Sequence, residues 1–572
     1  MNLIEPARRS LNYLTTSVDP GRDGMPYFMT FWHPKGLEYR HNPWDIVENP
    51  GRFSEGVALI RRMTGQDAET ETEGQWKDLL ERLWDDRFGL YIVPRGLSFV
   101  QTDLDAARCC GARHTREDDA SCNWDNRSAY MGMVLRGLLF GDEQCVEMGR
   151  RILTGYDRWA VRDERRQWAW YTTSYITAGN LPDGSGPPVP GQEMGGIISL
   201  LVKDFQWFDR EQSLELAQGL ANCMMHFARI GEPWPPNYNT HSYFHYLAGL
   251  VRLYRATSER RYLEYARAHF EHYQRRFASS FGWVSEFPDA DLMDNTPASR
   301  SRGTIPAAEG CSTVDLIDAA ILLARSGHPE YWSVAERAGR NYLVCGQVTD
   351  AGAFPDGHAG EDDGDSSFTD IPNRLVGNLA GWGDPHDIVN FDNRTGRRVF
   401  QSCCGARLPY GLFQLWDNAV TREAGVVSIN LSFDRETPHV RCVHTTNGDG
   451  RFAINVKQDC RVRLRVPEGV AATDVRVDVD GRSRDAPAFD GHYLDLGPLP
   501  AGTELVARHP RPTRRATEHV PVYDRDFDIE WHGNDVMSIR PEGEHLPVFG
   551  PRAKALRTAA ADTGACVEAF DI

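Results

Sequence analysis

The stretch YLAGLVRLYRATSERRYLEYARAHFEHY, residues 246–273, has the pattern of two amphipathic helices joined by a short turn. Its apolar side chains recur at intervals of three and four residues, at Leu247, Leu250, Val251 and Tyr254 and then at Tyr262, Leu263, Ala266 and Phe270. One such hairpin leaves an apolar stripe that it cannot bury by itself. The stretch therefore predicts a fold in which helical hairpins cover one another.

The same pattern recurs between residues of about 55 and 420, at spacings of roughly 50–70 residues. The recurrences span residues 54–84, 128–156, 193–230, 312–344 and 406–420. Hairpins arranged in a ring bury each other's apolar faces, which predicts a mainly α fold with an (α/α)6 barrel, or toroid, over residues 1–422.

Long connections rich in Gly, Pro and Trp separate the predicted hairpins. They span residues 99–128, 164–193, 228–245, 280–312 and 350–402. Long connections in a compact domain commonly carry function. We therefore expect them to line the mouth of the barrel.

After residue 422 the apolar spacing changes to strict alternation. The segments VVSINLSF (426–433), RFAINVKQ (451–458) and RVRLRVP (461–467) alternate apolar and polar residues between turns. This pattern predicts an antiparallel β-sandwich over residues 423–515. Residues 516–572 show weaker periodicity and are expected to pack on the other two domains.

Composition and charge narrow the class of ligand. The chain has 572 residues, a net charge of −18 and no apolar run of 18 residues. Such an acidic chain is a poor match for nucleic acid or an anionic membrane. Its start, MNLIEPARRSLNYL, lacks the apolar core of a secretory signal, which predicts a cytoplasmic protein. Thiols stay reduced in that compartment, so the twelve cysteines are expected to be buried, metal-bound or catalytic.

The pentapeptide CCGAR occurs at residues 109–113 and again at 403–407. The second copy opens a predicted helix, as does Glu309-Gly310-Cys311 in AAEGCSTVDL (307–316). Three cysteines and one carboxylate make a donor set for a tetrahedral zinc ion. The spacing alone does not choose between a metal site and structural cysteines.

The first copy offers a rival set of thiols. Cys109, Cys110, His114 and Cys122 lie in a polar connection and would serve as metal ligands or remain free thiols. Three other cysteines fall on apolar helical faces and are predicted to be core residues, namely Cys145, Cys223 and Cys345.

Three features resemble glycoside hydrolase family 127, the β-L-arabinofuranosidases and their relatives. LVRLYRATSERRYLEYARAHF (250–270) resembles the helical hairpin that follows that family's substrate-binding histidine. AEGC (308–311) resembles its Glu-x-Cys element, and the twin cysteine at 403–404 resembles its own. The order of barrel and β-sandwich also matches. Gly405-Ala406, where the family has a proline-rich continuation, indicates a distant branch.

The resemblance implies a zinc–cysteine glycosidase. Glu309, Cys311 and Cys404 would hold Zn²⁺, and Cys403 would be both the fourth ligand and the nucleophile. Attack by a zinc-bound thiolate followed by hydrolysis gives a retaining mechanism. The implied substrate is a small glycoside or the end of an oligosaccharide, with a β-L-arabinofuranoside as a candidate.

The resemblance also implies a carboxyl group that protonates the leaving oxygen. Glu286 is the nearest equivalent, 23 residues before Glu309, and Asp291 and Asp294 are closer alternatives. For substrate binding, His241 and His245 form an i, i+4 pair ahead of the quoted hairpin. Trp234 and Tyr238 lie nearby and would stack on a sugar face.

Two other functions remain open at this point. A sugar epimerase or lyase on the same barrel would use the histidines and carboxylates and leave the cysteines structural. A non-catalytic carbohydrate-binding protein would use the same four ligands for structural zinc. The predicted partner in each case is a carbohydrate, with a homodimer as a candidate assembly.

Overall fold

The structure is a computed structural model that describes most of the chain. The described part comprises residues 1–42, 46–97, 118–165, 167–173, 175–179, 181–186, 188, 192–227, 240–286, 308–355, 357, 359–392, 397–484, 487–520 and 525–572.

Most helices of this part follow the predicted hairpins, one precedes them, one falls in the predicted connection 350–402 and one lies in the last segment of the chain. They are α1 (Ile4–Thr16), α2 (Glu48–Thr64), α3 (Glu71–Arg82), α4 (Asn123–Phe140), α5 (Glu143–Arg150), α6 (Leu153–Trp159), α7 (Gln192–Phe208), α8 (Glu211–Phe227), α9 (Thr240–Thr257), α10 (Arg260–Phe277), α11 (Gly310–Arg325), α12 (Trp332–Ala338), α13 (Ile371–Leu375), α14 (Ser402–Ala419) and α15 (Pro551–Arg557).

Six of the helices in the described ranges form a closed inner ring. In order, α2, α4, α7, α9, α11 and α14 each pack against the next, and α14 packs against α2. Around them lie α1, α3, α5, α8, α10 and α12, each against one or two inner helices. The predicted (α/α)6 barrel is confirmed, and α1, which the apolar pattern did not indicate, fills the outer position between α14 and α2.

The quoted hairpin shows how the sequence makes one unit of this ring. The chain leaves α9 through Ser258, whose φ of 62° is left-handed and whose N–H donates to the Tyr254 carbonyl at 2.7 Å. This arrangement ends a helix with one backbone hydrogen bond closing its last turn. Leu250 and Val251 on α9 and Phe270 on α10 are fully buried. The apolar stripes predicted from the sequence are thus the contact between the two helices.

Close approach of α2 and α4 depends on two glycines. A Cβ on Gly51 would lie 2.4 Å from the Ala129 nitrogen, and a Cβ on Gly132 would lie 2.2 Å from the Gly51 oxygen. Only glycine fits such backbone contact. The contact holds the first turn of α2 against the middle of α4.

The strands of the described residues fall into several sheets. They are β1 (Val18–Asp19), β2 (Met25–Pro26), β3 (Met29–His33), β4 (Gly36–Arg40), β5 (Trp84–Asp85), β6 (Leu90–Tyr91), β7 (Ala120–Cys122), β8 (Val161–Arg162), β9 (Ala169–Trp170), β10 (Tyr175–Thr177), β11 (Ser366–Ser367), β12 (Asn390–Asp392), β13 (Arg397–Gln401), β14 (Val420–Glu423), β15 (Val426–Ile429), β16 (Arg435–Glu436), β17 (Val440–Thr445), β18 (Gly450–Val456), β19 (Cys460–Arg465), β20 (Arg476–Val479), β21 (Arg482–Ser483), β22 (Ala488–Phe489), β23 (Tyr493–Leu499), β24 (Glu504–His509), β25 (Thr513–Val520), β26 (Arg525–His532) and β27 (Asp535–Arg540).

A five-stranded sheet stands at the entrance to α14. Its order is β11-β4-β3-β13-β12, so the region 350–402, expected to be a connection, contributes three of its strands. Gln401, the last residue of β13, pairs with Met29, and the Ser402 N–H donates to the Phe28 carbonyl at 2.8 Å. The sheet therefore fixes the position of the backbone immediately before Cys403 and Cys404.

The predicted β-sandwich is confirmed after α14, although one of its strand pairs, β15 with β19, is parallel rather than antiparallel. One sheet has the order β14-β15-β19-β23-β22 and the other β16-β17-β18-β24-β20-β21. Val427 and Ile429 from the first sheet share an apolar core with Val440 and Phe452 from the second. The alternating segments thus supply one buried face to each sheet.

The last part of the chain packs on the barrel. Strands β25, β26 and β27 form an antiparallel sheet, and residues after α15 contact α14. The Trp416 indole donates to the Thr563 carbonyl at 2.9 Å, and the Phe570 N–H donates to Asp417 at 2.8 Å. No helix in the described ranges is both long and apolar enough to span a membrane.

A buried ionic network joins this last sheet to the barrel. Asp535 accepts from Arg340 at 2.8 and 3.0 Å and from Arg511 at 2.6 Å, and Arg557 lies 3.7 Å away. Burial alone would raise the pKa of Asp535, but the charges of Arg340 and Arg557 hold that pKa well below its usual value. One carboxylate therefore balances several guanidinium groups.

Replacing Asp535 with asparagine is expected to destabilise the protein by about 3–5 kcal/mol, because it leaves buried guanidinium groups without their counter-ion. The measurement is the thermal unfolding temperature at neutral pH. Asp528→Asn on the same sheet is the matched control, since Asp528 is exposed and should change stability by less than about 0.5 kcal/mol. Equal unfolding temperatures for the two variants would contradict the assigned role. Because the pKa of Asp535 is lower in the folded than in the unfolded protein, its charge stabilises the fold fully above the unfolded pKa and progressively less below it. The difference in unfolding temperature between the wild-type protein and Asp535→Asn should therefore shrink as pH falls below about 4.

Candidate metal centre

Four predicted ligands converge at one point inside the barrel. A carboxylate oxygen of Glu309 and the Sγ atoms of Cys311, Cys403 and Cys404 all lie within 4.8 Å of one another. Sγ of Cys404 is 3.9 Å from Sγ of Cys311 and 3.9 Å from Sγ of Cys403. Tetrahedral Zn–S bonds of about 2.3 Å place two sulfurs about 3.8 Å apart. The observed separations therefore fit a zinc ion, and among the described residues no other group of acidic, Cys or His side chains meets the same test.

The four ligands come from the entrances of two neighbouring inner helices. Glu309 is the residue before α11 and Cys311 lies in its first turn, while Cys403 and Cys404 lie in the first turn of α14. Helix N-termini carry partial positive charge and favour thiolates. The position after the twin cysteine needs glycine, because a Cβ on Gly405 would lie 1.9 Å from the Asn378 side-chain oxygen.

The charges in the cluster favour a bound cation. Burial alone would raise the pKa of Cys311, but hydrogen bonds from Cys403 and Cys404 and the charge of Arg52 hold that pKa well below its usual value. The Cys311 hydrogen bond raises the pKa of Cys403, and burial raises the pKa of Cys404 and of Glu309. A cation bound among these four groups would favour the deprotonated forms of all of them.

Glu286 lies close to this cluster despite its distance in sequence. Ser285 forms an antiparallel bridge with Ala308, which brings the residues on either side of 287–307 together. Glu286 is 6% exposed, and its charge contributes to the raised pKa of Glu309 after burial and Cys311. The alternatives Asp291 and Asp294 lie outside the described residues.

Both predicted histidines belong to a buried polar network. Nδ1 of His241 and Nδ1 of His245 face the two carboxylate oxygens of Asp315, the second at 3.4 Å. Nε2 of His241 is 3.4 Å from Arg52, and Nε2 of His245 is 3.2 Å from Arg127. Each ring nitrogen therefore has a protein partner. The sugar contact expected of these histidines stays a prediction, and Trp234 and Tyr238 lie outside the described residues.

Sequence patterns did not indicate several residues that complete the surroundings of the cluster. Arg52 lies near the start of α2, and Trp124 lies near the start of α4. The rings of Trp124 and His241 are 5.0 Å apart. The Trp124 indole donates to Glu48 at 3.0 Å. Only the i, i+4 spacing of Glu48 and Arg52 is visible in sequence, and such pairs are common on exposed helices.

An aromatic wall covers the thiols on the side of the five-stranded sheet. Phe28, Phe31 and Trp382 share an apolar cluster with Cys311, Cys403 and Cys404. Trp382 has a φ of 64°, in the left-handed region that a bulky residue rarely adopts. Strained residues of this kind concentrate at functional sites.

The other cysteines of the described residues do not join the cluster. Cys145, Cys223 and Cys345 are fully buried, which confirms the prediction that they are core residues. Cys122 is buried in β7, while Cys109, Cys110 and His114 lie outside the described residues.

Comparisons with known proteins give a likeness in structure only. No family model and no curated protein sequence matches the chain. Among solved structures, Ara127N, a GH127 β-L-arabinofuranosidase from Geobacillus stearothermophilus T6, has a TM-score of 0.58 and 14% identity, covering 93% of this chain and 80% of that one. The GH127 β-arabinofuranosidase BT3674 has a TM-score of 0.59 and 12% identity, covering 94% and 81%. A third, named a glycoside hydrolase, has a TM-score of 0.54 and 11% identity, covering 91% and 85%. The chain therefore shares the barrel-and-sandwich fold of these glycoside hydrolases.

Proposed function

We propose that this protein is a distant relative of glycoside hydrolase family 127, a retaining glycosidase that uses Cys403 as its nucleophile and Zn²⁺ held by Glu309, Cys311, Cys403 and Cys404. The observation that carries the proposal is the meeting of three thiols and one carboxylate within 4.8 Å, at the entrances of two inner helices. The shared fold supports the assignment but does not by itself select a chemistry.

The exposure of the three thiols to solvent favours Cys403 as the attacking group. Cys403 is 5% exposed, whereas Cys311 and Cys404 are fully buried. When bound, Zn²⁺ would keep the cysteines as thiolates at neutral pH. Sγ of Cys403 attacks the anomeric carbon of the sugar, the bond from that carbon to the leaving oxygen breaks, and a thioglycosyl intermediate forms on the cysteine.

Glu286 supplies and recovers the proton in the proposed mechanism. Its carboxylic acid donates a proton to the leaving oxygen in the first step. Its carboxylate then takes a proton from water, and that water oxygen replaces Sγ at the anomeric carbon. Two displacements on one carbon restore the starting configuration, so the product retains its anomeric form.

The proposed substrate is a small glycoside or the end of an oligosaccharide, and a β-L-arabinofuranoside is the first candidate. Ara127N and BT3674, which share this fold, are both named as arabinofuranosidases. The proposed location is the cytoplasm, a compartment in which thiols stay reduced, as the mechanism requires of Cys403. A panel of aryl glycosides with retention tested by proton NMR of the first-formed product checks both sugar and stereochemistry.

Purified protein is expected to contain about one zinc ion per chain, and removal of that ion by a chelator should lower the unfolding temperature. Added Zn²⁺ should restore it, whereas Mg²⁺, which prefers oxygen ligands, should not. Elemental analysis and thermal unfolding are the measurements. Cys566→Ser, a change at an exposed cysteine, is the control and should leave the zinc content unchanged. Absence of zinc from freshly purified protein, with no uptake on reconstitution, would contradict the proposed centre.

The two other functions make different predictions. A lyase or epimerase built on His241 and His245 would need ring nitrogens available to the sugar, and in this structure each already faces a protein group. A non-catalytic zinc protein would bind the same ion but release no aglycone. Release of aglycone from the aryl glycoside panel therefore separates the glycosidase from both alternatives, and bound zinc without release separates the binding protein from the lyase or epimerase.

A further inference from the structure

Arg52 contacts the thiol cluster from outside the ligand set. Its Nη1 lies 3.2 Å from Sγ of Cys311 and donates to the Cys403 carbonyl at 3.4 Å. Arg52 is 1% exposed and is held by Glu48 at 2.7 Å. A guanidinium fixed in this way reaches the sulfur with its planar fork and little freedom to move.

The three thiols consequently have different neighbours. Cys311 receives an N–H from a cation, whereas the Cys403 thiol faces the carboxamide oxygen of Gln401 at 3.4 Å. Cys404 lies between the other two sulfurs, 3.9 Å from each. In the contacts of the described residues, Arg52 touches the sulfur of Cys311 and only the backbone of Cys403.

A hydrogen bond from a cation changes how a thiolate behaves. It withdraws electron density from sulfur and so lowers the nucleophilicity of that thiolate. It also fixes the orientation of the side chain as a metal ligand, as outer partners of metal ligands commonly do. Both effects act on Cys311 and spare Cys403.

We infer that Arg52 is a positioning residue that separates the roles of the cysteines: it holds Cys311 as a permanent metal ligand, while the sulfur of Cys403, to which no cationic side chain of the described residues donates, attacks the sugar. This inference rests on the proposed function. Arg52 acts through Cys311 and does not itself touch the reacting atoms.

The test compares Arg52→Met with Arg61→Met in the full-length protein. Arg61 lies on the same helix, is 4% exposed and pairs with Glu73 at 2.9 Å, so its loss removes a buried ion pair that does not contact the cluster. The first measurement is the dissociation constant for Zn²⁺ by competition with a chromophoric chelator. The second is the thiolate-to-metal charge-transfer band of the protein loaded with Co²⁺.

Arg52→Met is expected to raise the Zn²⁺ dissociation constant by about 10–100-fold. Its Co²⁺ band should move to longer wavelength, because loss of an N–H donor raises the energy of the sulfur lone pairs. Arg61→Met should match the wild-type protein in both measurements. Arg52→Lys keeps the charge but not the fork, and should lie between wild type and Arg52→Met in both measurements.

Each outcome decides between the two proposals. Wild-type affinity and an unshifted band in Arg52→Met would overturn the role of Arg52 and leave the zinc centre intact. Failure of the wild-type protein to bind Zn²⁺ or Co²⁺ would instead overturn the proposed function. If Arg52→Met does not fold, Arg52→Lys carries the comparison, and its agreement with wild type in both measurements would overturn the inference.

Discussion

Cys403→Ser is expected to lower the turnover of a cleavable glycoside by at least about 10⁴-fold, since removal of a catalytic nucleophile commonly costs this much or more. A serine hydroxyl at this position is not deprotonated at neutral pH, and so it cannot form the covalent bond to the anomeric carbon. The backbone at residue 403 is held by the first turn of α14, so the fold should survive the exchange of one atom. Steady-state kinetics and circular dichroism measure the two effects.

Cys404→Ser is the matched comparison for this prediction. Cys404 is the adjacent residue on the same helix and is fully buried. Its replacement should chiefly weaken zinc binding, with activity recovering as Zn²⁺ is raised, whereas Cys403→Ser should stay inactive at saturating Zn²⁺. Full activity of Cys403→Ser would show that another group attacks the sugar. Mass spectrometry of an enzyme trapped with a slow substrate should find the glycosyl group on the peptide that contains residue 403.

Glu286→Gln is expected to reduce turnover by about 10²–10⁴-fold on a glycoside with an alkyl leaving group. The loss should be much smaller for an activated aryl glycoside, whose leaving oxygen departs without a proton. Glutamine keeps the size of the buried side chain but cannot donate the acidic proton. The measurement is the dependence of kcat/KM on leaving-group pKa, which should steepen in the variant.

Asp291→Asn and Asp294→Asn are the controls for the proton donor. Both residues are alternatives from the sequence, and they precede Glu309 by fewer residues than Glu286 does. Each variant should keep the leaving-group dependence of the wild-type enzyme. A steepened dependence in either one, with Glu286→Gln unaffected, would transfer the role of acid to that aspartate.

The helical hairpins were predictable because their information is local. Leu250, Val251 and Phe270 mark buried faces within one stretch of about 25 residues, and helix spacing converts that pattern directly into structure. The five-stranded sheet was not predictable in this way. Met29 pairs with Gln401, and no alternation within either short strand indicates a partner hundreds of residues away.

The candidate site was predictable to a similar extent. Cys311 and Cys403 each stand at a helix entrance, and a ring of parallel inner helices brings such entrances to one end of the barrel. Glu286 was harder to place from the sequence. Many residues separate it from Glu309 in the chain, and the backbone bridge between Ser285 and Ala308 is what brings the two close together. Arg52 carries no motif, since one arginine four residues after a glutamate is ordinary on any helix.

The packing of the last residues on α14 has a consequence for biosynthesis. Trp416 and Thr563 are 147 positions apart, and Asp417 and Phe570 are 153 apart. At about 5–20 residues per second, a ribosome needs roughly 7–30 s to travel that far. During this interval the nascent chain already contains all six inner helices of the ring. The Thr563 carbonyl and the Phe570 N–H, which bond to Trp416 and Asp417 on α14, have not yet been made. The surroundings of α14 are therefore incomplete until residues 563–570 have been made, and chaperone occupancy should persist on ribosome-bound chains stalled near residue 540.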